Sequence, residues 1–442
     1  WPHYLETIHD PRNTRVARYE YDADGRLVAS VDANDKRIEY THDIAGQVEQ
    51  VKNRRGHTTT YVYDDNGWVL SETNALNEQT LHTYDTNGNE LTTTDPLNRT
   101  TTRTFDARGN VLTETNPAGE TVTRTYGRYN QLKTETDAQN RVVLTNHYWK
   151  KNGVEETGFL TSSVDALGNT TVYALDLCAG LTCGNTGNLK TLIDANGKRR
   201  SFEYDRYGNL TQETDTRNNT TLREYDTMGR VLKETRRRLI NGQVEELVTV
   251  NEYDAAGNAV KTVAPDGVIT TRYYEKGQLL YEQTGLQRRD YTYTPDGRLE
   301  STIFNGNLSV KESTVYDAEG NVIEQRDVFG SKTRMVYDAA NRLIETIHPD
   351  DTGGDTDNAR SRQEYDKAGQ LKTSWDERNQ PTTYTYDDAG RQVTVKNALD
   401  QVMTSEYDGT GRRALSRDPL GRETRYVYDL AGRLTRTILP DP

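Results

Sequence analysis

The stretch YDTMGRVLKE, residues 225–234, is one copy of a pattern that returns from one end of this chain to the other. The pattern reads YDADGRLVAS at 21–30 and YDLAGRLTRT at 428–437. A catalytic motif occurs once in a domain, whereas a motif that recurs along a whole chain is typical of a repeat architecture. The spacing between the copies therefore decides which kind of fold this sequence predicts.

The first residue of each copy, which we call the anchor, recurs every 21 residues over long parts of the chain. Anchors at this spacing are Tyr21, His42, Tyr63, Tyr84, Phe105 and Tyr126, and again Tyr365, Tyr386, Tyr407 and Tyr428. Other steps measure 28 residues, as from Tyr225 to Tyr253, which is one unit with seven residues inserted. The array is irregular or carries insertions near 147–200, 236–250 and 349–360. We therefore predict a single repeat array over residues 1–442 rather than several domains.

One unit contains two turns and two short strands. In residues 19–40, YEYDADGRLVASVDANDKRIEY, Asp22 and Gly25 are residue types favoured in a tight hairpin turn. The stretch 27–31 then alternates in the manner of a strand, and a second turn at 32–35 leads to a second strand that ends at the next anchor. Because both connections are short, consecutive strands must be antiparallel neighbours. The sequence thus predicts an all-β chain built as one long antiparallel meander of 21-residue YD repeats.

The low apolar content indicates a sheet that is not packed against a second layer. Only 33% of the residues are hydrophobic and 28% are charged, yet the chain has 28 tyrosines and regularly spaced turns. About forty strands cannot stay flat, because large twisted sheets curl. We therefore predict that the meander spirals into a hollow shell or tube with a polar lumen. The alternative is a filled solenoid or a β-propeller, since two units approach the ~40 residues of a propeller blade, but propeller blades pack more apolar faces.

No motif in the sequence indicates a catalytic, cofactor or metal site. The seven histidines are scattered, and the match of Gly409–Ala414 to a dinucleotide-binding pattern lies inside a repeat turn. The acidic insertion Asp350–Asp357 has enough carboxylates to hold calcium, but its spacing fits no EF-hand and a solvated loop is favoured. Cys178 and Cys183 lie in another insertion, with their thiols free or joined in a disulfide. We expect no catalytic residue, no cofactor and no metal site, and hence a protein that is not an enzyme.

The charge balance argues against a nucleic-acid partner, and the hydropathy argues against a membrane span. The formal net charge is −13 and the isoelectric point is near 5.2, whereas nucleic-acid-binding proteins are usually basic. No stretch approaches 18 consecutive apolar residues. The run Arg236–Arg238 lies in a 28-residue unit beside Glu245 and Glu246, and we expect it to be a solvated insertion.

The motif YDxxGRL at 21-residue spacing, with a D-A/P-x-G-x turn between copies, resembles the YD repeats of the Rhs protein family. Members of that family include the shell-forming components of insecticidal Tc toxins, bacterial wall-associated proteins and the teneurins. The resemblance extends over nearly the whole chain and implies a β-sheet that spirals into a hollow shell. In secreted bacterial members such a shell encloses a C-terminal toxin domain. The family's self-cleavage segment is not among these residues, so the resemblance carries over no catalytic residue.

The function implied by this resemblance is a structural container of a polymorphic toxin. Its toxin cargo and its secretion or delivery machinery, such as type VI secretion, would both lie outside this chain, and the protein would be secreted or exposed at the bacterial cell surface. The alternative is a cell-surface adhesion or carbohydrate-binding module, in which Trp68, Trp149 or Trp375 would meet glycans. Only four tryptophans occur and they share no repeat phase, which favours the container.

Overall fold

The computed structural model describes residues 4–151, 154–176, 187–240, 242–349 and 358–440, and over these residues it contains 39 β-strands and no helix. The strands are β1 Thr7–His9, β2 Arg15–Tyr21, β3 Leu27–Asp32, β4 Arg37–Asp43, β5 Val48–Lys52, β6 Thr58–Tyr63, β7 Val69–Thr73, β8 Gln79–Tyr84, β9 Glu90–Thr94, β10 Thr100–Phe105, β11 Val111–Thr115, β12 Thr121–Tyr126, β13 Leu132–Thr136, β14 Val142–Lys151, β15 Val154–Asp165, β16 Thr170–Leu175, β17 Leu189–Ile193, β18 Arg199–Tyr204, β19 Leu210–Thr214, β20 Thr220–Tyr225, β21 Val231–Ile240, β22 Gln243–Tyr253, β23 Ala259–Val263, β24 Ile269–Glu275, β25 Gln278–Thr284, β26 Gln287–Tyr293, β27 Leu299–Phe304, β28 Asn307–Tyr316, β29 Val322–Arg326, β30 Lys332–Tyr337, β31 Leu343–Ile347, β32 Arg360–Tyr365, β33 Leu371–Trp375, β34 Pro381–Tyr386, β35 Gln392–Lys396, β36 Val402–Tyr407, β37 Arg413–Arg417, β38 Glu423–Tyr428 and β39 Leu434–Ile438.

The strands form one antiparallel sheet in sequence order, as the short turns predicted. Each strand of the described residues is paired with its neighbours in the sequence, and the sheet is not closed by a pairing between β1 and β39. Most strands have five to seven residues, and the hairpin β21–β22 is longer, with strands of 10 and 11 residues. The run Arg236–Arg238 lies in this lengthened hairpin, where Arg237 and Arg238 are ion-paired with Glu246 and Glu245 across the two strands.

The turns alternate between the two edges of the sheet. Turns that follow even-numbered strands, such as 64–68 and 226–230, carry the Asp-x-x-Gly sequence after the anchor, and we call this side the YD edge. Turns that follow odd-numbered strands, such as 74–78 and 95–99, form the opposite side, which we call the far edge. Every unit therefore presents one turn at each edge.

A β-bulge at the anchor bends the sheet in most units, the one anchored by His42 being an exception. The pairing register shifts between Glu224 and Tyr225, and the same shift occurs between Thr83 and Tyr84 and between Thr385 and Tyr386. A bulge places an extra residue on one strand, which bends that strand and increases its local twist. Bulges repeated at the same place in successive units add up, so the meander curls instead of lying flat.

The sheet is one layer thick over the described residues. Strands contact only their sequence neighbours and very few side chains on either face are buried, so neither face is covered by a second sheet. The buried hydrophobic residues are few: Ala29, Val31, Tyr148 and Leu415. A β-propeller or a filled solenoid would need faces packed against each other, and the structure excludes that alternative within this part of the chain.

Polar ladders on both faces explain how a sheet with so little core holds together. On one face, neighbouring strands are joined by threonine pairs such as Thr104 with Thr113, whose Oγ1 atoms are 2.6 Å apart. On the other face, arginine and glutamate pair across strands, as Arg103 with Glu114 at 3.0 Å. Because Arg103 and Thr104 are adjacent in one strand, their side chains point to opposite faces. Cross-strand pairs of these kinds stabilise a sheet without apolar burial.

The sheet coils so that a turn at its far edge meets a turn at its YD edge 23 strands further along the chain. The far-edge turn after β7 meets the YD turn after β30, and the far-edge turn after β11 meets the YD turn after β34. Hydrogen bonds and ion pairs that join far-edge turns to YD turns in this way link residues 262 to 286 positions apart in the sequence. Twenty-three strands at a spacing of ~4.8 Å give a perimeter of roughly 110 Å, and hence about 35 Å between opposite backbones. The chain thus forms a coiled wall, and we call the line along which its successive turns meet the seam.

Candidate functional site

In many units the anchor tyrosine joins the unit to the one before it. Its hydroxyl donates a hydrogen bond to a backbone carbonyl that lies on the strand following the preceding YD turn, and in six units the carbonyl belongs to a residue 15 positions earlier. Such bonds are Tyr84 to Val69, Tyr225 to Leu210, Tyr337 to Val322, Tyr386 to Leu371, Tyr407 to Gln392 and Tyr428 to Arg413, with O–O distances of 2.6–3.0 Å. His42 takes the same place with its Nε2 atom 2.8 Å from the carbonyl oxygen of Leu27, which confirms that it packs as an anchor.

The aspartate after the anchor closes the YD turn. In the turn 226–230, the Oδ1 atom of Asp226 accepts hydrogen bonds from the backbone N–H groups of Met228 and Arg230, at 2.8 and 3.0 Å. Gly229 has φ of 78° and donates its N–H to the carbonyl of Asp226. A positive φ at this position is the reason for glycine, because a side chain there is strained. The backbone N–H of Arg230 is the main cause that holds the pKa of Asp226 below its ordinary value.

The arginine after the turn glycine connects neighbouring turns along the YD edge. Arg230 donates from Nε to Oδ2 of Asp226 at 2.6 Å and from Nη1 to the carbonyl of Asp254, in the next YD turn, at 3.0 Å. Its guanidinium lies 4.8 Å from the ring centroid of the next anchor, Tyr253. The same stacking occurs between Arg342 and Tyr365 at 5.0 Å. The whole YDxxGR motif is therefore explained by turn closure and by contacts between successive units.

Arginine side chains also cross the seam. Arg55, at the far edge, donates from Nη1 to the carbonyl of Asp338 at 2.9 Å and from Nη2 to the carbonyl of Tyr337 at 3.0 Å. Arg99 donates to Oε1 of Gln370 at 2.7 Å, and Arg391 donates to Oε1 of Glu120 at 2.7 Å. Partial burial acts to lower the pKa of Arg391, but the bonds to Glu120 and Asp387 together raise it. The seam is thus a polar contact between turns, with no strand pairing across it in the described residues.

Two far-edge turns of similar sequence differ in solvent exposure, and the difference shows that the seam covers one of them. Leu97, in DPLNR at 95–99, lies at the seam and is 38% exposed, whereas Leu420, in DPLGR at 418–422, lies on the free part of the far edge and is 78% exposed. Some YD turns at the seam have alanine three residues after the anchor, as at Ala368 and Ala389, and others have larger residues there, such as Glu319 and Thr410. YD turns outside the seam also vary at this position, with Ala256 in one and the mostly exposed Tyr207 in another.

The residues singled out in the sequence do not form one site. Cys178 and Cys183 and the acidic insertion Asp350–Asp357 lie outside the described residues. Among the residues that are described, no three His, Cys, Asp or Glu side chains are grouped to hold a metal ion. Trp68 packs on the ring of Tyr84 at 5.6 Å, and Trp375 lies on β33 far along the sheet.

The cavities of the described surface are shallow. One of them, of about 570 Å³, lies at the far edge and is lined by Leu286, Arg288, Asp290 and Leu308. In this cavity the Nε atom of Arg288 donates a hydrogen bond to Oδ1 of Asp290 at 2.8 Å, and the guanidinium stacks 4.0 Å from the ring centroid of Tyr281. This arrangement leaves the charged groups of the cavity paired with each other.

These features define a class of protein: a wall of repeats that is one sheet thick. In each unit the recurring residues close the turn and contact either the next unit or the facing turn across the seam. The RHS repeat family model matches residues 5–37, 21–60, 63–100, 84–121, 105–142, 185–220, 204–238, 316–352, 365–402 and 407–441. The chain belongs to the RHS repeat family. No curated protein matches it. No helix in the part of the chain that the structure describes is long and apolar enough to cross a membrane.

Solved structures show the same fold at low sequence identity. The crystal structures of TcdB2-TccC3-TEV and TcdB2-TccC3-Cdc42 each match with a TM-score of 0.55 and 15% identity, over 96% and 97% of this chain. The chain spans 28% of the length of each of those chains, so it corresponds to about a quarter of them. The Photorhabdus luminescens Tc holotoxin pore matches with a TM-score of 0.45 and 13% identity, over 98% of this chain and 32% of that chain, and this match is too weak to support an argument.

Proposed function

We propose that this chain, as a single repeat array, is part of the wall of a hollow container that encloses a C-terminal toxin domain until its delivery. The observation that supports this proposal is the coiled sheet itself: one layer thick, returning on itself after 23 strands and joined there by a seam. Such a wall surrounds a space instead of a core. In this proposal the protein is not an enzyme, and it is secreted or exposed at the bacterial cell surface.

The polar character of the wall suits a container. Its two faces are covered by threonine pairs and by arginine–glutamate pairs that satisfy each other, as Arg124 with Glu135 at 2.9 Å. Side chains that are already paired offer few strong bonds to a cargo, so a cargo can be enclosed and later released. The toxin domain and the delivery machinery, whether type VI secretion or a Tc-type assembly, are partners outside this chain.

Small-angle X-ray scattering tests the hollow wall. A filled globule of 442 residues has a radius of gyration of about 22 Å. We expect a clearly larger value, with a pair-distance distribution of a shell and no flexible tail. A compact, filled particle would refute the container.

A protection assay tests the enclosure. A small folded reporter domain is fused after residue 442, and its digestion by a protease is compared with that of the free reporter. We expect the fused reporter to be digested more slowly. Equal digestion rates would show that this chain does not enclose a domain attached to its C-terminal end. Binding of the unfused chain to a glycan array would instead favour the carbohydrate-binding alternative.

A further inference from the structure

We propose that the seam is the joint along which the wall opens, and that the arginine side chains of the seam hold it closed. This inference rests on the proposed container and adds how its interior becomes accessible. Cargo can leave a coiled container through an end of the coil or through its wall, and a wall made of one continuous sheet can open either by tearing strands apart or by separating its successive turns. The contacts between paired strands differ from the contacts across the seam, and this difference indicates which of the two routes the wall takes.

Within the sheet, strands are held by continuous backbone ladders. β20 and β21, for example, are paired at six successive positions from Thr220 to Tyr225, and the anchor hydroxyls and turn arginines reinforce this pairing. Across the seam, no strand of the described residues is paired with another. Only side chains of the turns reach over, so separating the turns leaves every ladder intact.

Arg55 makes the most extensive contact of the seam. Besides its bonds to the carbonyls of Tyr337 and Asp338, its Nη1 atom donates to Oδ1 of Asn341 at 2.8 Å, and its Nε atom lies 3.5 Å from Oδ2 of Asp317. One side chain therefore holds two successive YD turns, 317–321 and 338–342. The side chain is only 18% exposed, so its charge is well removed from solvent and strongly dependent on these partners.

The other seam arginines have a second role in their own turns. Arg391 binds Glu120 across the seam while its Nε atom binds Asp387 of its own turn at 2.7 Å. Arg99 binds Gln370 across the seam while its Nε atom binds Asp95 at 2.7 Å. The bond within the turn fixes the guanidinium in the orientation that the seam needs. A guanidinium held in this way loses little side-chain entropy when it forms the second bond.

Similar arginines outside the seam provide a matched control. Arg230 forms the same bonds within its turn as Arg391 and stacks on the next anchor in the same way, but its turn does not face the far edge. Arg217 lies in a far-edge turn, as Arg55 does, in the part of that edge that is not covered. Replacing this second pair of arginines removes the same charges from the same kinds of turn without touching the seam.

A disulfide across the seam reports whether it is closed. A Cβ atom at Gly409 would lie 3.6 Å from Cγ of Gln139, and Gly409 does not have a positive φ, so cysteines at positions 139 and 409 are close enough to bond. The reporter is the variant Q139C/G409C in a background in which Cys178 and Cys183 are serine. The measured quantity is the rate of disulfide formation under a mild oxidant, with far-ultraviolet circular dichroism to follow the strands.

We expect the seam variant R55Q/R391Q to form the disulfide at least about tenfold more slowly than the reporter alone, with unchanged circular dichroism. The control R217Q/R230Q should form it at the reporter's rate. The charge swap R391E/E120R should restore more of the rate than R391E alone does. Scattering of the seam variant should show a larger maximum dimension.

Three results would overturn the inference. The disulfide rate could be the same in the seam variant and the reporter; it could fall equally in the control; or the strand signal could be lost together with the disulfide. These outcomes are separate from the failure of the container, which is a compact particle in the scattering of the unmodified chain.

Discussion

Removal of one anchor hydroxyl should weaken the array by the value of a single hydrogen bond. In Tyr225→Phe the ring stays in place and only the bond to the carbonyl of Leu210, at 2.6 Å, is lost. Burial raises the pKa of Tyr225, so its hydroxyl is protonated and is a donor at neutral pH. A neutral hydrogen bond of this kind contributes about 0.5–1.5 kcal/mol to the free energy of unfolding. We expect a loss in this range for Tyr225→Phe.

The chain itself offers the reverse substitution. Phe105 is an anchor without a hydroxyl, and the carbonyl of Glu90, 15 residues earlier, stands where other anchors find their acceptor. Phe105→Tyr should therefore gain about 0.5–1.5 kcal/mol. Tyr84→Phe, in the neighbouring unit, is the matched loss. The three variants differ from the parent by one oxygen atom each.

The measurement must resolve single units, because long repeat arrays often unfold in parts. Native-state hydrogen exchange of the backbone amides near each anchor gives the local opening free energy, and urea unfolding gives the sum. Protection should fall around Tyr225 and Tyr84 in the two phenylalanine variants and rise around position 105 in the tyrosine variant. If all three variants keep the protection of the parent, the hydroxyl is not the reason why tyrosine is the anchor.

Three further predictions concern the turn, the far edge and the response to acid. Gly229→Val should lose about 1–3 kcal/mol in urea unfolding because φ is 78° there, and Gly229→Asn should lose less, since asparagine tolerates this conformation. Leu76→Ala, at the half-buried seam, should lower local hydrogen-exchange protection by about 1 kcal/mol, whereas Leu399→Ala, 75% exposed, should change nothing. Partial burial acts to raise the pKa of Asp408, but bonds from Arg412 and Thr410 lower it to about 2; the stability it contributes is therefore present above pH 4 and lost as the pH falls from about 4 to 2, which melting curves between pH 7 and 2 will show.

The local part of the fold could be predicted from the sequence because its causes are local. The spacing of the anchors, the Asp and Gly of the turn and the short connections predicted an all-β meander, and all of these are confirmed. His42 was recognised as an anchor because it occupies the tyrosine position in an otherwise regular unit. Because the same pattern of residues recurs in many units, a wrong assignment in one unit does not change the predicted fold.

The role of the motif arginine could not be predicted in the same way. The sequence shows that arginine follows the turn glycine, and a side chain there is expected to point to solvent. The structure instead places the Arg230 guanidinium on Asp226 and over the ring of Tyr253, which lies 23 positions further on. That contact depends on how two successive YD turns lie side by side. Because the hairpin that separates them in the sequence varies in length, the sequence spacing does not show the contact.

The seam was also beyond sequence reasoning, because nothing in a repeat marks which copy meets which. Its partners are 262 to 286 residues apart, a distance set by how tightly the sheet coils. Alanine three positions after the anchor does not mark it either, since it occurs at the seam, as at Ala368 and Ala389, and also outside the seam, as at Ala45 and Ala256.

The alternation of turns between two edges has a consequence for how such an array can change during evolution. A duplication or deletion of one whole unit adds or removes two strands, so a far-edge turn still finds a YD turn opposite it. Arg55 already binds two YD turns that are one unit apart, the turns after β28 and β30. Loss of one strand would bring two edges of the same kind together and leave the arginines without acceptors. The array can therefore gain or lose whole units, by tandem duplication or deletion of 21 codons, and still bring a far-edge turn opposite a YD turn.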